Sequence, residues 1–293
     1  MQQMKAIPIQ ILILFLVVYC ITAQTVPVKI DLVSNGNELN AKFYPVERGI
    51  PSTTVILLHG FPGNDNNPLG LAERLNKNRI NILVFNYQGT FISEGVFNFE
   101  NCENDIGVAL DFLKKKENVQ QFFIDTSRII ICGYSLGSSL ALTAAVHNPE
   151  IKNIVAIAGG NDQYIYLKKM ADNPAYRKGF EQRIASLYSP NGPIKGDSVY
   201  LHQYFETIIP DVDNYDLVKN ADKLKNRNIL FLFGWLDNTI PVEEYILPVY
   251  RQLKILKAKN VQMRGFDTDH SYGNVMEELT NSISEWIEVN NAL

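Results

Sequence analysis

The sequence predicts an α/β fold: a mostly parallel central sheet with helices on both faces and a mainly helical cap inserted over the sheet. Three observations lead there. Short apolar, β-rich runs alternate with amphipathic helical patterns over most of the chain, the arrangement that builds a parallel sheet covered on both sides. The 293 residues are 46% apolar with a formal charge of −4, enough for one substantial core and too mildly acidic to supply a field for nucleic acid. One stretch, Asn161 to Arg227, is too long for an ordinary connection and carries breakers at Pro174, Pro190, Gly192, Pro193, Gly196 and Pro210.

The chain opens on a different pattern. Met1 to Gln10 carries one charge, Lys5, and Ile11 to Tyr19 is unbroken apolar sequence before the small residue Ala23. The apolar run from Ile9 to Ile21 falls short of the roughly 20 residues a membrane helix needs, so residues 1–23 read as a secretory signal peptide. The expectation is a mature chain from about Gln24 to Leu293, secreted or periplasmic, with no stable membrane insertion after cleavage. Cleavage removes Cys20 and leaves Cys102 and Cys132, too few for a disulfide scaffold; Cys132, inside an apolar strand, is expected as a buried free thiol.

In order along the chain, Val26 to Val33 and Leu39 to Tyr44, with Asn35-Gly36 between them, predict an antiparallel hairpin. Buried strands are predicted at Val55–Leu58, Ile82–Phe85, Arg128–Cys132, Ile154–Ala158, Ile229–Phe233 and Asn260–Arg264. Helical patterns fill the gaps at Pro68–Lys77, Asn101–Lys116, Ser135–His147, Val242–Lys257 and Tyr272–Val289. The region from about 161 to 227 is the predicted cap.

Chemistry concentrates at the strand ends. Gly133-Tyr134-Ser135-Leu136-Gly137 lies directly after one strand and directly before a helix, the context in which such a serine occupies a strained turn with its hydroxyl exposed. The glycines leave room for neighbouring backbone, and the first amide of the helix, Leu136 N–H, is aimed where an oxyanion would form. A second donor is expected after an earlier strand, where His59-Gly60-Phe61-Pro62-Gly63 supplies Phe61 N–H. A serine hydroxyl needs a base within hydrogen-bond reach. Of the four histidines, His147 lies roughly 18 Å along the same helix at 1.5 Å per residue. His202 falls in the cap, and His59 precedes the nucleophile at a position suited to holding a loop. His270, in the loop after the last strand, remains. The orienting acid should follow an intervening strand, which points to Asp237, with Asp162 as its rival; Asp267 and Asp269 read as loop-capping groups.

From about Thr53 to the C-terminus, these motifs, with Gly234-Trp235-Leu236-Asp237, Ile240-Pro241 and Asp269-His270, resemble the α/β-hydrolase superfamily. The resemblance is strongest to its lidded esterases and prolyl-oligopeptidase-like acyl hydrolases. It implies a triad of Ser135, Asp237 and His270, an oxyanion hole of Phe61 and Leu136, and an acyl-enzyme hydrolysed by water. Asn86 to Gly95 resembles a loop of many relatives in which arginine often stands where this chain has Gln88, which leaves an ion pair from that position unsupported.

The expected partner is a small-molecule ester or amide. Carboxylic ester hydrolysis is the leading activity, a serine peptidase or amidase is the alternative, and a non-catalytic binding protein of this fold is the third reading. Tyr164, Tyr166, Tyr176, Tyr188, Tyr200, Tyr204 and Phe205 of the cap are expected to form mostly the cap's own core, with some lining a pocket. No cofactor or metal is implied, since the histidines and cysteines lack zinc-ligand spacing and no phosphate-cradling glycine loop is present.

Overall fold

The computed structural model describes residues 26–46, 49–61, 67–189, 192–196 and 198–291. The expected signal peptide lies outside the described residues, as do Pro62 and Gly63. No helix of the described residues is long and apolar enough to cross a membrane.

The strands are β1 (Val28–Ser34), β2 (Asn37–Tyr44), β3 (Ser52–Leu58), β4 (Asn81–Phe85), β5 (Ile124–Tyr134), β6 (Asn153–Ile157), β7 (Asn228–Gly234) and β8 (Val261–Phe266). They form one sheet in the order β1-β2-β4-β3-β5-β6-β7-β8. β2 runs antiparallel to both β1 and β4, and every pair from β4 to β8 is parallel. The β1–β2 hairpin turns on Asn35 and Gly36, both with positive φ (50° and 80°), the backbone that a two-residue turn between twisted strands requires. The chain passes from β3 outward to β4 and then returns to the other side of β3 to form β5. The order therefore reverses at β3–β5, and a crevice opens beyond the carboxyl ends of those two strands.

The helices are α1 (Leu71–Lys77), α2 (Phe99–Lys114), α3 (Lys116–Phe122), α4 (Leu136–His147), α5 (Asp162–Asp172), α6 (Pro174–Ala185), α7 (Ser198–Ile208), α8 (Ala221–Leu224), α9 (Val242–Tyr245), α10 (Leu247–Ile255) and α11 (Met276–Asn291). α1 and α11 cover one face, where Leu71, Leu75, Leu279, Ile283 and Trp286 pack on β3, β4 and β5 through Val55, Leu57, Ile82 and Ile130. α2, α4 and α10 cover the other through Ile106, Leu110, Leu140, Ala144, Val249 and Leu253. α4 lies wholly inside, Gly137 to Val146 all being buried, because it is enclosed by the sheet, α2, α5 and α8.

Among the departures from the sequence expectation, a further helix, α3, follows α2, the helix expected from Pro68 is α-helical only from Leu71, and three other elements differ for visible reasons. β5 is longer, because its start at Ile124 pairs with Ser52 ahead of a register shift and Ser52 N–H donates to the Phe123 carbonyl at 2.7 Å. The helix expected over Val242–Lys257 is two helices, since the Tyr245 carbonyl is taken by Asn161 N–H at 2.9 Å and Pro248 brings no N–H of its own. The last helix starts at Met276, because Tyr272 has φ 55° and its ring is fully buried, ending the histidine loop instead of opening a helix. Cys102 and Cys132 are buried and free.

Between β6 and β7 lie α5 to α8 and a 3₁₀ turn at Ile209–Tyr215. α5, α6, α7 and the 3₁₀ turn share a small apolar cluster of Leu167, Met170, Ile184, Leu201, Phe205, Ile208 and Tyr215. The region is tied to the loop after β4, where Phe91 N–H donates to the Pro193 carbonyl (3.0 Å) and Lys195 N–H to the Gly89 carbonyl (2.8 Å), and to the start of α2, where Phe99 N–H donates to the Tyr204 hydroxyl (2.9 Å).

The loop after β4 is in turn anchored on a buried carboxyl. Asp105 accepts Gln88 N–H at 2.8 Å and the Gln88 side-chain amide at 2.7 Å, and that amide also donates to Ser34 Oγ at 3.1 Å. A neutral amide thus fills the place where arginine is common. With no cation opposite it, burial pushes the Asp105 carboxyl up from 3.8 to about 6, against the hydrogen bonds of Ser34 and Gln88, which pull it down.

A native value above the unfolded one means that the Asp105 contribution to stability is fully present below about pH 4 and is lost as pH rises towards 6. Urea unfolding across that window is expected to show this loss in the wild type, and Asp105→Asn, which does not titrate, is expected to lose less over the same interval.

Candidate active site

β5 ends at Tyr134, and the chain turns into α4 through Ser135, whose φ of 54° and ψ of −123° lie outside the regions a non-glycine residue favours. Such a backbone costs about 1–3 kcal/mol and persists only where the surroundings enforce it. The enforcement is visible. Ser135 N–H donates to the Ile157 carbonyl at 2.8 Å, and the Ser135 carbonyl accepts Ser138 N–H at 2.8 Å. A Cβ on Gly133 would lie 2.1 Å from the Gly137 carbonyl oxygen, and one on Gly137 would lie 2.6 Å from the Leu58 carbonyl oxygen. The two glycines let β5, α4 and β3 approach closely enough to hold the serine in that conformation.

His270 follows β8 in the loop ahead of α11. Its Nε2 lies 3.2 Å from Ser135 Oγ and its Nδ1 lies 2.7 Å from Asp237 Oδ2. Asp237 is 4% exposed, and its other oxygen accepts Thr239 N–H and Ile240 N–H, each at 2.9 Å. An imidazole nitrogen facing a carboxylate carries the proton, which leaves Nε2 as an acceptor for the serine hydroxyl. The two loops are also joined through the backbone: Trp235 N–H donates to the Phe266 carbonyl at 2.9 Å and Leu236 N–H to the Thr268 carbonyl at 3.0 Å. Tyr134, beside the serine, donates its hydroxyl to the His270 carbonyl at 2.7 Å, with ring centroids 5.2 Å apart.

The structure thus brings together Ser135, His270 and Asp237. Phe61 and Leu136 line the same cavity beside Ser135, Phe61 from the loop after β3 and Leu136 as the first residue of α4. Asp162, the rival acid, is the first residue of α5; one of its oxygens accepts Gly160 N–H at 2.7 Å, and the residue paired with His270 is Asp237. Asp269 caps its own turn by accepting from Ser271 N–H (2.9 Å) and Oγ (2.6 Å). His59 is buried against the Tyr87 ring, centroids 4.3 Å apart, with Nδ1 2.8 Å from the Gly60 carbonyl. His147 pairs with Glu103, and His202 with Glu181 on the cap.

Above Ser135 is a cavity of about 430 Å³, within the range of small-molecule sites. Its walls are mainly apolar. Tyr166, Tyr188, Tyr204 and Phe205 reach it from the cap, whereas Tyr164, Tyr176 and Tyr200 belong to the cap's own packing. More cap aromatics face the cavity than the sequence suggested, because thin helices laid over a crevice use one apolar face for both purposes. Burial raises the Tyr188 and Tyr204 hydroxyls well above their usual range, so both stay neutral. Phe97 of the loop after β4, Phe99 at the start of α2, Met170 of α5 and Ile240 beyond β7 were not singled out as pocket residues by sequence, since nothing in an apolar residue distinguishes a cavity wall from a core.

A family model described as the alpha/beta hydrolase fold matches residues 53–188. In sequence, the uncharacterized protein YfhR of Salmonella typhi is 26% identical over 215 residues, 72% of this chain and 64% of its own length, so the match spans less than two thirds of that relative. The alpha/beta hydrolase domain-containing protein WAV2 of Arabidopsis thaliana is 30% identical over 121 residues, 40% of this chain and 37% of its own. Among solved structures, the esterase Pf2001 of Pyrococcus furiosus superposes with a TM-score of 0.63 at 17% identity, over 90% of this chain and 92% of its own. Est1E from Butyrivibrio proteoclasticus, solved with ferulic acid bound, also gives 0.63 at 17% identity, over 90% of this chain and all of its own. At such identity the likeness is one of fold.

The Tyr134 hydroxyl fixes the carbonyl of the histidine loop. Tyr134→Phe keeps the ring and removes that bond, and faster hydrogen exchange of the amides from 268 to 272, with little change in the amides of α4, is the expected outcome.

Proposed function

We propose that this chain, a member of the α/β-hydrolase superfamily, is a serine hydrolase that cleaves carboxylic esters through an acyl-enzyme on Ser135. The observation that carries the reading is the continuous line from Asp237 through His270 to Ser135 Oγ, with contacts of 2.7 and 3.2 Å, at the floor of an apolar cavity. His270 Nε2 takes the hydroxyl proton as Oγ attacks the ester carbonyl, and Asp237 stabilises the imidazolium that forms. The negative oxygen of the tetrahedral intermediate is met by Leu136 N–H and Phe61 N–H. His270 then returns the proton to the leaving alcohol, and the same base activates the water that releases the acid.

Supporting the ester reading are the esterase neighbours in structure and the apolar walls, which suit an acyl or aryl body and offer few polar groups to hold a peptide backbone. The leader Met1 to Ala23 supports secretion, so that the substrates are met outside the cytoplasm.

The test is turnover of p-nitrophenyl esters of graded acyl length beside aminoacyl p-nitroanilides. Ester turnover is expected, with kcat lowered roughly 10⁴-fold or more in Ser135→Ala and in His270→Ala. Anilide turnover with esters untouched would replace the esterase by an amidase, and unchanged ester turnover in Ser135→Ala would end the proposal.

A further inference from the structure

The cavity is mainly apolar, with Arg183 and Thr239 among its polar lining and a further polar stretch at the start of α5. That stretch is two consecutive buried polar side chains, Asp162 (4% exposed) and Gln163 (2% exposed), both lining the cavity with Ser135. Each has one satisfied atom and one that is not. Asp162 Oδ1 accepts Gly160 N–H, while Oδ2 has no hydrogen-bond partner among the described residues. Gln163 Oε1 accepts the hydroxyls of Ser139 (3.1 Å) and Thr143 (2.8 Å), while Nε2 is left without one. A buried polar atom without a partner is unfavourable, and these two belong to neighbouring residues in the wall of one cavity.

The chemistry of the pair is specific. It offers one vacant carboxyl oxygen and an amide nitrogen whose two N–H groups are unused, and a hydroxyl is a group that can donate to the first and accept from the second. Burial pushes the Asp162 carboxyl up to about 7, so near neutral pH it can serve in either form. Position limits where on a substrate the hydroxyl would be. A Cβ on Gly159 would lie 3.1 Å from Asp162 Oδ2 and 2.5 Å from the Ser135 carbonyl oxygen, which places the carboxyl close to the Ser135 backbone. Ser139, which holds Gln163, is one helical turn beyond Ser135 on α4. The Asp162 carboxyl is therefore on the Ser135 side of the cavity, and Tyr166, Tyr188, Tyr204 and Phe205 line it from the cap.

We propose that Asp162 and Gln163 form a specificity subsite for a hydroxyl within one or two carbons of the scissile carbonyl, so that the preferred substrates are 2- or 3-hydroxyacyl esters with an apolar remainder. This rests on the ester reading above for its chemistry, but the recognition it describes is a property of the binding cavity and is measurable without turnover.

The experiment is calorimetric binding of ethyl hexanoate, ethyl 2-hydroxyhexanoate and ethyl 3-hydroxyhexanoate to the full chain carrying Ser135→Ala, which leaves the ester intact. One of the hydroxylated esters is expected to bind roughly tenfold or more tightly than ethyl hexanoate, the scale of one satisfied buried partner. That preference is expected to fall to within about twofold when Gln163→Leu or Asp162→Leu is added. Equal affinity of all three esters for the Ser135→Ala chain overturns the subsite, and so does failure of all three to bind; neither outcome depends on the added variants folding. Tighter binding of a hydroxy ester by a protein that turns over no ester would keep the subsite and reject the esterase.

Discussion

Everything at the crevice depends on one constrained residue, Ser135, held with a left-handed φ between a strand that ends and a helix that starts. The conformation is unfavourable locally and is imposed by three pieces of backbone in close approach: the end of β3 against Gly137, α4 against Gly133, and the Ile157 carbonyl on Ser135 N–H. The restraint comes from the sheet and a buried helix, so the hydroxyl is fixed to the core of the molecule. The loops bearing Asp237 and His270 meet it from the ends of β7 and β8.

Those loops are not independent of one another or of the serine. The Asp237 carboxylate accepts two amides of its own turn and the imidazole, the β7 and β8 loops exchange backbone hydrogen bonds through Trp235 and Leu236, and Tyr134 reaches from the serine's neighbour to the histidine carbonyl. Each acceptor on the buried acid is therefore used, which is the condition under which a buried carboxylate is retained without a cation beside it.

The cap is secured by a different logic. Its hydrogen bonds run to the loop after β4, and that loop hangs on Gln88 and the buried Asp105 on α2. An amide where an arginine is common keeps the geometry of two donors on one carboxyl but leaves the charge uncompensated, so the anchorage depends on pH where an ion pair would not. The roof of the cavity and the acid–base poise of the core are linked through a single side chain.

The alternation of strand and helix, the hairpin at Asn35-Gly36, the glycine-flanked Ser135 and the histidine loop were legible in the sequence because each is a local pattern: period, turn chemistry, and residues at fixed offsets from a strand end. The choice between Asp237 and Asp162 was not local. Both follow parallel strands, and only the sheet order, with β7 next to β8, brings the Asp237 loop to the imidazole, while Asp162 turns back on Gly160 and is left in the cavity wall. Likewise the helix over Val242–Lys257 broke where a remote amide, Asn161 N–H, claimed the Tyr245 carbonyl. Local patterns along the chain were enough to pick out the glycine-flanked serine, the histidine loop and the candidate acids. Which acid meets His270 and which aromatics face the cavity came from packing alone, because both depend on contacts between segments far apart in the chain, for which no periodicity exists to be read.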